Sequence, residues 1–295
     1  MRVVVIGTSG QLATELHRGA RSAAVELLPP EKIDVSIASE VDALLDRTRP
    51  ALVLNAAAYT AVDRAEAEIE RAFAVNETGP ALLARWCQAN GSALIHVSSD
   101  YVFDGTKRGA YSEDDQAQPL GVYGESKLAG EKALRATLER HLILRTSWVF
   151  SAHSQNFVKT MLRLAQERDE LRVVADQIGR PTAAAALART LLALAERLAA
   201  AAPLAWGTYH FANAGSATWH GFAEAIVDEQ ECFTQRRPRV TPIFTSEYPT
   251  PAKRPANSVL DTSRFEQTFG ITPSPWRDEL HSVVREIFAP RSIQR

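Results

Sequence analysis

A chain of 295 residues, 45% hydrophobic and 23% charged, has the composition expected of a soluble globular protein and the length for a large core. Its net charge of −2 and pI of about 6.4 give no electrostatic ground for a nucleic-acid partner or an anionic membrane surface. No apolar run approaches the ~20 residues of a membrane span, and the first residues carry no secretory pattern. Cys87 and Cys232 stand far apart, in no metal-ligand spacing, and read as structural thiols. The expected address is the cytoplasm.

In chain order, Val3-Val4-Val5-Ile6 is a continuous apolar run, as in a strand covered on both faces. A glycine turn follows, then a helical stretch from about Gln11 to Ala20. Leu52-Val53-Leu54, Leu94-Ile95-His96-Val97 and Leu142-Ile143-Leu144 repeat the buried-strand pattern. Helical spacing fills the segments between them, as from Ala65 to Ala89. This alternation predicts an α/β fold, a Rossmann-type doubly wound parallel sheet over residues 1–150. Beyond it, Phe157 to Gln166, Ala183 to Ala200 and Trp219 to Glu229 read as helices, and Tyr209-His210-Phe211 as a short strand. Five prolines between Pro238 and Ala256 predict an irregular loop and no regular element. Residues 151–295 are expected to form a smaller C-terminal α/β substrate-binding domain over the carboxyl edge of the sheet, where such sheets bind ligands. Residues from about 175 to 215 are expected to return to the first domain.

The segment Gly7-Thr8-Ser9-Gly10-Gln11-Leu12-Ala13 directly follows the first strand. A glycine turn lets backbone approach a pyrophosphate, and the next helix offers free N–H groups and its positive dipole end. Gly7, Gly10, Gln11 and Leu12 are therefore candidate contacts for a dinucleotide, NADPH or NADH. No acidic residue closes the second strand, because Val25-Glu26-Leu27-Leu28 runs into Pro29-Pro30, so the choice of cofactor stays open. Asp34, with Val35 beside it, is a candidate for the adenine end, and equally a turn or cap residue.

Tyr123 and Lys127 are four apart and share one face of a helix. Ser99 closes the fourth predicted strand, at the edge where a ligand would sit. Together with the glycine turn, Ser99, Tyr123 and Lys127 resemble the catalytic triad of short-chain dehydrogenase/reductases; the resemblance implies hydride addition to a ketone, which builds negative charge on oxygen and needs a proton donor and a hydrogen-bond partner. Tyr123 is the expected donor and Ser99 the expected partner. A free phenol has a pKa of about 10. A nearby Lys127 ammonium would stabilise the phenolate and also hold the nicotinamide ribose. No metal is needed.

Five further segments narrow the resemblance. They are Asn55 to Asp63 (NAAAYTAVD), Ser98 to Gly105 (SSDYVFDG), Arg145 to Phe150 (RTSWVF), Gln177 to Thr182 (QIGRPT) and Tyr248 to Ser258 (YPTPAKRPANS). In order and spacing they resemble dTDP-4-dehydrorhamnose reductases over nearly the whole chain. The resemblance implies NAD(P)H-dependent reduction of the C4 keto group of dTDP-4-dehydro-β-L-rhamnose, the last step to dTDP-L-rhamnose. It implies that Ala57, Ala58 and Thr60 line the cofactor and that Trp148 lies against the sugar. Asp100, beside Ser99, joins the substrate contacts. Arg254 is the candidate for the diphosphate, since a guanidinium pairs phosphate oxygens bidentately. Asn156 either caps the helix after it or meets phosphate.

Two alternatives stand beside this reading. One is a related nucleotide-sugar 4,6-dehydratase or 4-epimerase. Dehydratases place an Asp-Glu pair after the strand-end Thr, whereas Asp100 is followed here by Tyr101. The other is a non-catalytic, reductase-like regulatory subunit, against which the intact Ser99, Tyr123 and Lys127 weigh. Some family members bridge two subunits with Mg²⁺ through glutamates, one of them after the Pro-Thr segment. Here Pro181-Thr182 runs into four alanines, so a bridging metal is doubtful and a homodimer is left open. Glu15, on its helix, reads as a solvated carboxylate.

Overall fold

The computed structural model describes residues 1–20, 22–202 and 204–289. The strands of the first half are β1 (Arg2–Ile6), β2 (Glu26–Leu27), β3 (Leu52–Asn55), β4 (Ala93–Ser99) and β5 (His141–Thr146). The second half adds β6 (Val149–Phe150), β7 (Glu170–Val174), β8 (Ile178–Gly179), β9 (Thr182–Ala183), β10 (Gly207–His210), β11 (Ala217–Thr218) and β12 (Arg239–Ile243). Six of them form one sheet in the order β10-β5-β4-β3-β1-β2, with every pair parallel. The chain starts in the middle, moves out to β2 and returns on the other side of β1. The switch point therefore lies between β1 and β3, and the crevice at their carboxyl ends is where this Rossmann-type fold binds ligands.

The strand residues are apolar because both faces are covered. Val3 and Val5 point into a core with the helices Gln11–Gly19 and Ala184–Ala199, while Val4 and Ile6 pack with Leu44, Leu83 and Cys87 on the opposite face. The first of these cores also holds Tyr209 from β10 and Phe265 and Phe269 from the helix Ser263–Phe269, so late segments complete the early sheet. A separate core gathers Phe150 from β6 with Val158, Phe222, Ile226, Trp276 and Val284 from the helices of the second half. Among the described residues no helix is long and apolar enough to cross a membrane.

Two stretches differ from the sequence reading. The expected helix from Ala65 to Ala89 is broken into Val62–Ala65, Ile69–Phe73, a π-turn at Ala74–Thr78 and Gly79–Asn90. Pro80 has no N–H to give the Asn76 carbonyl four residues back. That carbonyl lies against Gly130 instead, where a Cβ would come within 2.0 Å of it. The proline-rich stretch after Pro238 is not wholly irregular, because β12 pairs in parallel with β7. The ladder has only two strands, so the missing N–H of Pro242 is tolerated at an edge, and Thr241 Oγ1 donates to Glu170 at 2.6 Å. From Tyr248 to Ala256 the chain is irregular, as expected.

Candidate active site

A cleft of about 530 Å³ opens at the carboxyl edge of the sheet, and the glycine turn and the Ser-Tyr-Lys set both line it. On its first side Gly7 has φ 111°, and a Cβ there would sit 3.2 Å from the Ala57 nitrogen, so only glycine fits the turn. Gly10 caps the helix Gln11–Gly19 with no side-chain bond to its first N–H groups, which leaves them for an anion. A dinucleotide pyrophosphate fits this cradle. Gln11 ties the two sides together: its Nε2 donates to the Val149 carbonyl at 3.3 Å, and its Oε1 accepts from Ser151 and Asn156, both at 3.0 Å. Leu12, Ala58 and Thr60 also line the cleft.

Gly7, Ala57, Asp34 and Val35 lie outside the cleft-lining set. Asp34 accepts from the backbone and hydroxyl of Ser36 at 3.0 and 2.6 Å and pairs with Arg71 at 2.9 Å; the Ser36 bonds chiefly hold its carboxyl below the usual range. Val35 is buried against Gly79. The Asn55–Thr60 loop is braced from behind. Asn76 of the π-turn bonds both backbone groups of Tyr59, at 2.8 and 3.1 Å, and donates to Ser126 Oγ at 3.0 Å. One buried amide thus couples that loop to the helix Val122–Thr137, which carries Tyr123 and Lys127.

Ser99 ends β4 and donates to Asp100 Oδ1 at 3.1 Å. Burial pushes the Tyr123 phenol up to about 12, with the Ser99 hydrogen bond opposing. Lys127 is buried, and desolvation pushes it down to about 8 while Glu131 pulls the other way. Its Nζ donates to the Val97 carbonyl at 2.8 Å. The helix is fixed to the sheet by a buried ion pair: Arg145 on β5 meets Glu131 at 2.7 and 2.9 Å, and Ser98 donates to Glu131 at 2.6 Å. Burial alone would raise Glu131, yet Arg145 and Ser98 hold it below the ordinary carboxylate range.

Across the cleft, Trp148 takes the left-handed backbone region at φ 47° and stacks on Trp219 at 3.5 Å and 5°. Gly179 makes room for that ring, since a Cβ there would come within 2.4 Å of it. Trp219 was not singled out in the sequence. Asn156 caps the helix Phe157–Glu167, accepting from Lys159 N at 3.1 Å, while its amide donates to Gln11 and to the Ser151 and His153 carbonyls. Both Asn156 and Asp100 line the cleft. Burial pushes Asp100 up to about 7, and its second carboxyl oxygen has no partner. Arg254 is outside the lining set and is already paired bidentately with Asp63, at 2.7 and 2.8 Å.

Glu15 departs from the solvated carboxylate expected of it. It is buried, and its ligand-type atoms gather with those of His153 and Glu286 within 4.8 Å. The Arg18 guanidinium lies among them, 2.7 Å from Glu286 and 3.5 Å from Glu15, so a fixed cation already balances these carboxylates.

Fold and site together are those of an extended short-chain dehydrogenase/reductase. The family model described as "RmlD substrate binding domain" matches residues 1–288. A dTDP-4-dehydrorhamnose reductase of Aggregatibacter actinomycetemcomitans is 43% identical over 96% of this chain and 98% of its own. That of Salmonella typhimurium is 39% identical over 99% of this chain and 100% of its own. A crystal structure of a dTDP-4-dehydrorhamnose reductase from Bacillus anthracis, in complex with NADP, superposes with a TM-score of 0.89 at 33% identity, covering 97% of this chain and 99% of the other. The chain belongs to the dTDP-4-dehydrorhamnose reductase family.

Proposed function

We propose that this protein reduces the C4 keto group of dTDP-4-dehydro-β-L-rhamnose to give dTDP-L-rhamnose, using NADPH or NADH. The observation that carries the reading is one cleft lined by the glycine-turn helix start, Ser99, Tyr123 and Lys127, in a chain of this family. The bound cofactor supplies the hydride. Tyr123 gives its proton to the keto oxygen, and Ser99 donates a hydrogen bond to the same oxygen as charge builds there. Lys127 holds the ribose and favours the phenolate. Gly7, Gly10, Gln11 and Leu12 receive the pyrophosphate, and Ala57, Ala58 and Thr60 the nicotinamide end. Asp34 and Val35 serve the adenine end.

The stacked Trp148 and Trp219 present a flat apolar wall to the sugar, with Asp100 and Asn156 as polar contacts. Arg254 reaches a phosphate only by sharing or leaving Asp63. In this reading residues 1–150, with the 184–213 segment, form the cofactor domain, and most of 151–289 forms the substrate side. The enzyme acts in the cytoplasm, alone or as a homodimer.

The test follows absorbance of NADPH, and separately NADH, with enzymatically prepared dTDP-4-dehydro-β-L-rhamnose. Substrate-dependent oxidation is expected. Cofactor binding without oxidation would overturn the catalytic reading in favour of a regulatory relative.

A further inference from the structure

Lys127 has a buried neighbour that the reaction described above does not use. Its Nζ lies 3.4 Å from His96 Nε2, and both side chains are almost fully enclosed. The other ring nitrogen, His96 Nδ1, is 2.9 Å from Asn55 Nδ2 at the end of β3. Asn55 Oδ1 in turn accepts the Ala57 backbone N–H at 3.1 Å. These contacts assign every proton in the chain. A backbone N–H only donates, so the amide oxygen of Asn55 faces Ala57 and its NH₂ faces His96. An NH₂ only donates, so Nδ1 accepts. Burial and the Lys127 charge hold His96 well below its ordinary value, so the ring is neutral and its one proton sits on Nε2, facing Lys127.

An ammonium has no lone pair to receive that N–H, whereas a neutral amine has one. We infer that Asn55 and His96 are positioning residues for the catalytic lysine: they turn an imidazole N–H onto its Nζ and make it a group that releases its proton readily. Few other groups face the lysine. Tyr123 stands one turn before it on the same helix, and Glu131 one turn after. Glu131 is already engaged by Arg145, Arg135 and Ser98. The Val97 carbonyl and His96 face it from β4. The same relay ends on Ala57, so it links the loop proposed to line the cofactor with the lysine proposed to hold its ribose.

Two measurements test this, and only the second rests on the reductase reading. Nitrogen NMR of histidine-labelled protein, with the His96 signals identified by their loss in His96→Leu, is expected to show a bare Nδ1 and a protonated Nε2. The opposite tautomer would overturn the inference whether or not the enzyme turns over.

The second measurement is the alkaline limb of kcat/KM, which reports the free enzyme. In Asn55→Asp a carboxylate accepts from Nδ1–H, leaving Nε2 free to accept from the ammonium. The limb is then expected to move up by about one pH unit, a tenfold gain in proton affinity. His96→Leu removes the opposing N–H and is expected to move the limb the same way, which covers the case in which Asn55→Asp does not fold. A folded variant with an unmoved limb would sink the proposal. A wild type that binds cofactor but never turns over would sink the reductase reading and leave the tautomer result standing.

Discussion

The two sides of the cleft are built by different means. On the sheet side, Ser99 ends a seven-residue strand, and Tyr123 and Lys127 ride a sixteen-residue helix clamped to β5 by the Glu131–Arg145 pair. On the other side, Trp148 sits in a bend just before the two-residue strand β6 and Trp219 opens the helix Trp219–Thr234, and the two are held by ring stacking with Gly179 cleared beneath them. Reacting groups need fixed geometry, which long elements and buried charge pairs supply. Recognition of a sugar face needs a shaped surface, which packed aromatic rings supply. In the proposed reading placement and recognition are therefore separable, and substitutions on the two sides should fail in different ways.

The largest effect is expected from Tyr123→Phe, which should lower kcat by about 10²–10⁴-fold, the ordinary worth of a general acid. Cofactor affinity, read by fluorescence titration, should be nearly unchanged. Full kcat in this variant would remove the sheet side from the chemistry. Next, Glu131→Gln leaves Arg145 buried without its counter-charge, a loss of about 3–5 kcal/mol in urea unfolding. A loss under about 1 kcal/mol, the scale of an exposed pair, would show that the clamp is not what holds the helix.

On the opposite side, Trp219→Ala removes the ring behind Trp148. A stacked pair is worth about 0.5–1.5 kcal/mol, so KM should rise by about two- to tenfold with little change in kcat. A fall in kcat alone would erase the division between the two sides.

The smallest effect is a pH dependence. Burial holds Asp100 at about 7 in the fold, against 3.8 for the unperturbed carboxyl. A raised carboxyl favours the fold while it stays protonated; that contribution is whole below 3.8 and is lost as pH rises through about 7. Wild type should therefore lose stability relative to Asp100→Asn over this window, while the two converge in acid. Parallel denaturation midpoints at every pH would show that Asp100 is not desolvated.

How much of this could be read beforehand depends on how the information is stored. The glycine turn, Ser99, Tyr123 and Lys127 are local in the sequence, each on a strand end or one helical face, and the fold class follows from alternating apolar runs. Trp219 was invisible because its role arises where a helix start meets Trp148, and nothing local separates it from the buried Trp276. The Asp63–Arg254 pair spans 191 residues, beyond any spacing argument. Glu15 looked solvated because its helix gave no hint that His153 and Glu286 would close over it. Pro242 hid β12, since a proline reads as a break unless its strand is known to lie at an edge. Asn156 offered two roles, and only the folded chain shows the Lys159 N–H held by its side chain.

Phe265 and Phe269 share a core with Val3 and Val5, which bears on how the chain emerges during synthesis. The helix Gln11–Gly19 covers part of that core early, but the core is not complete until β10 and a helix made some 260 residues after β1 have cleared the ribosome. A nascent chain that cannot finish its first core is exposed to aggregation throughout elongation. The first half of this protein should therefore depend on chaperones while it is being made, and should not fold when expressed alone.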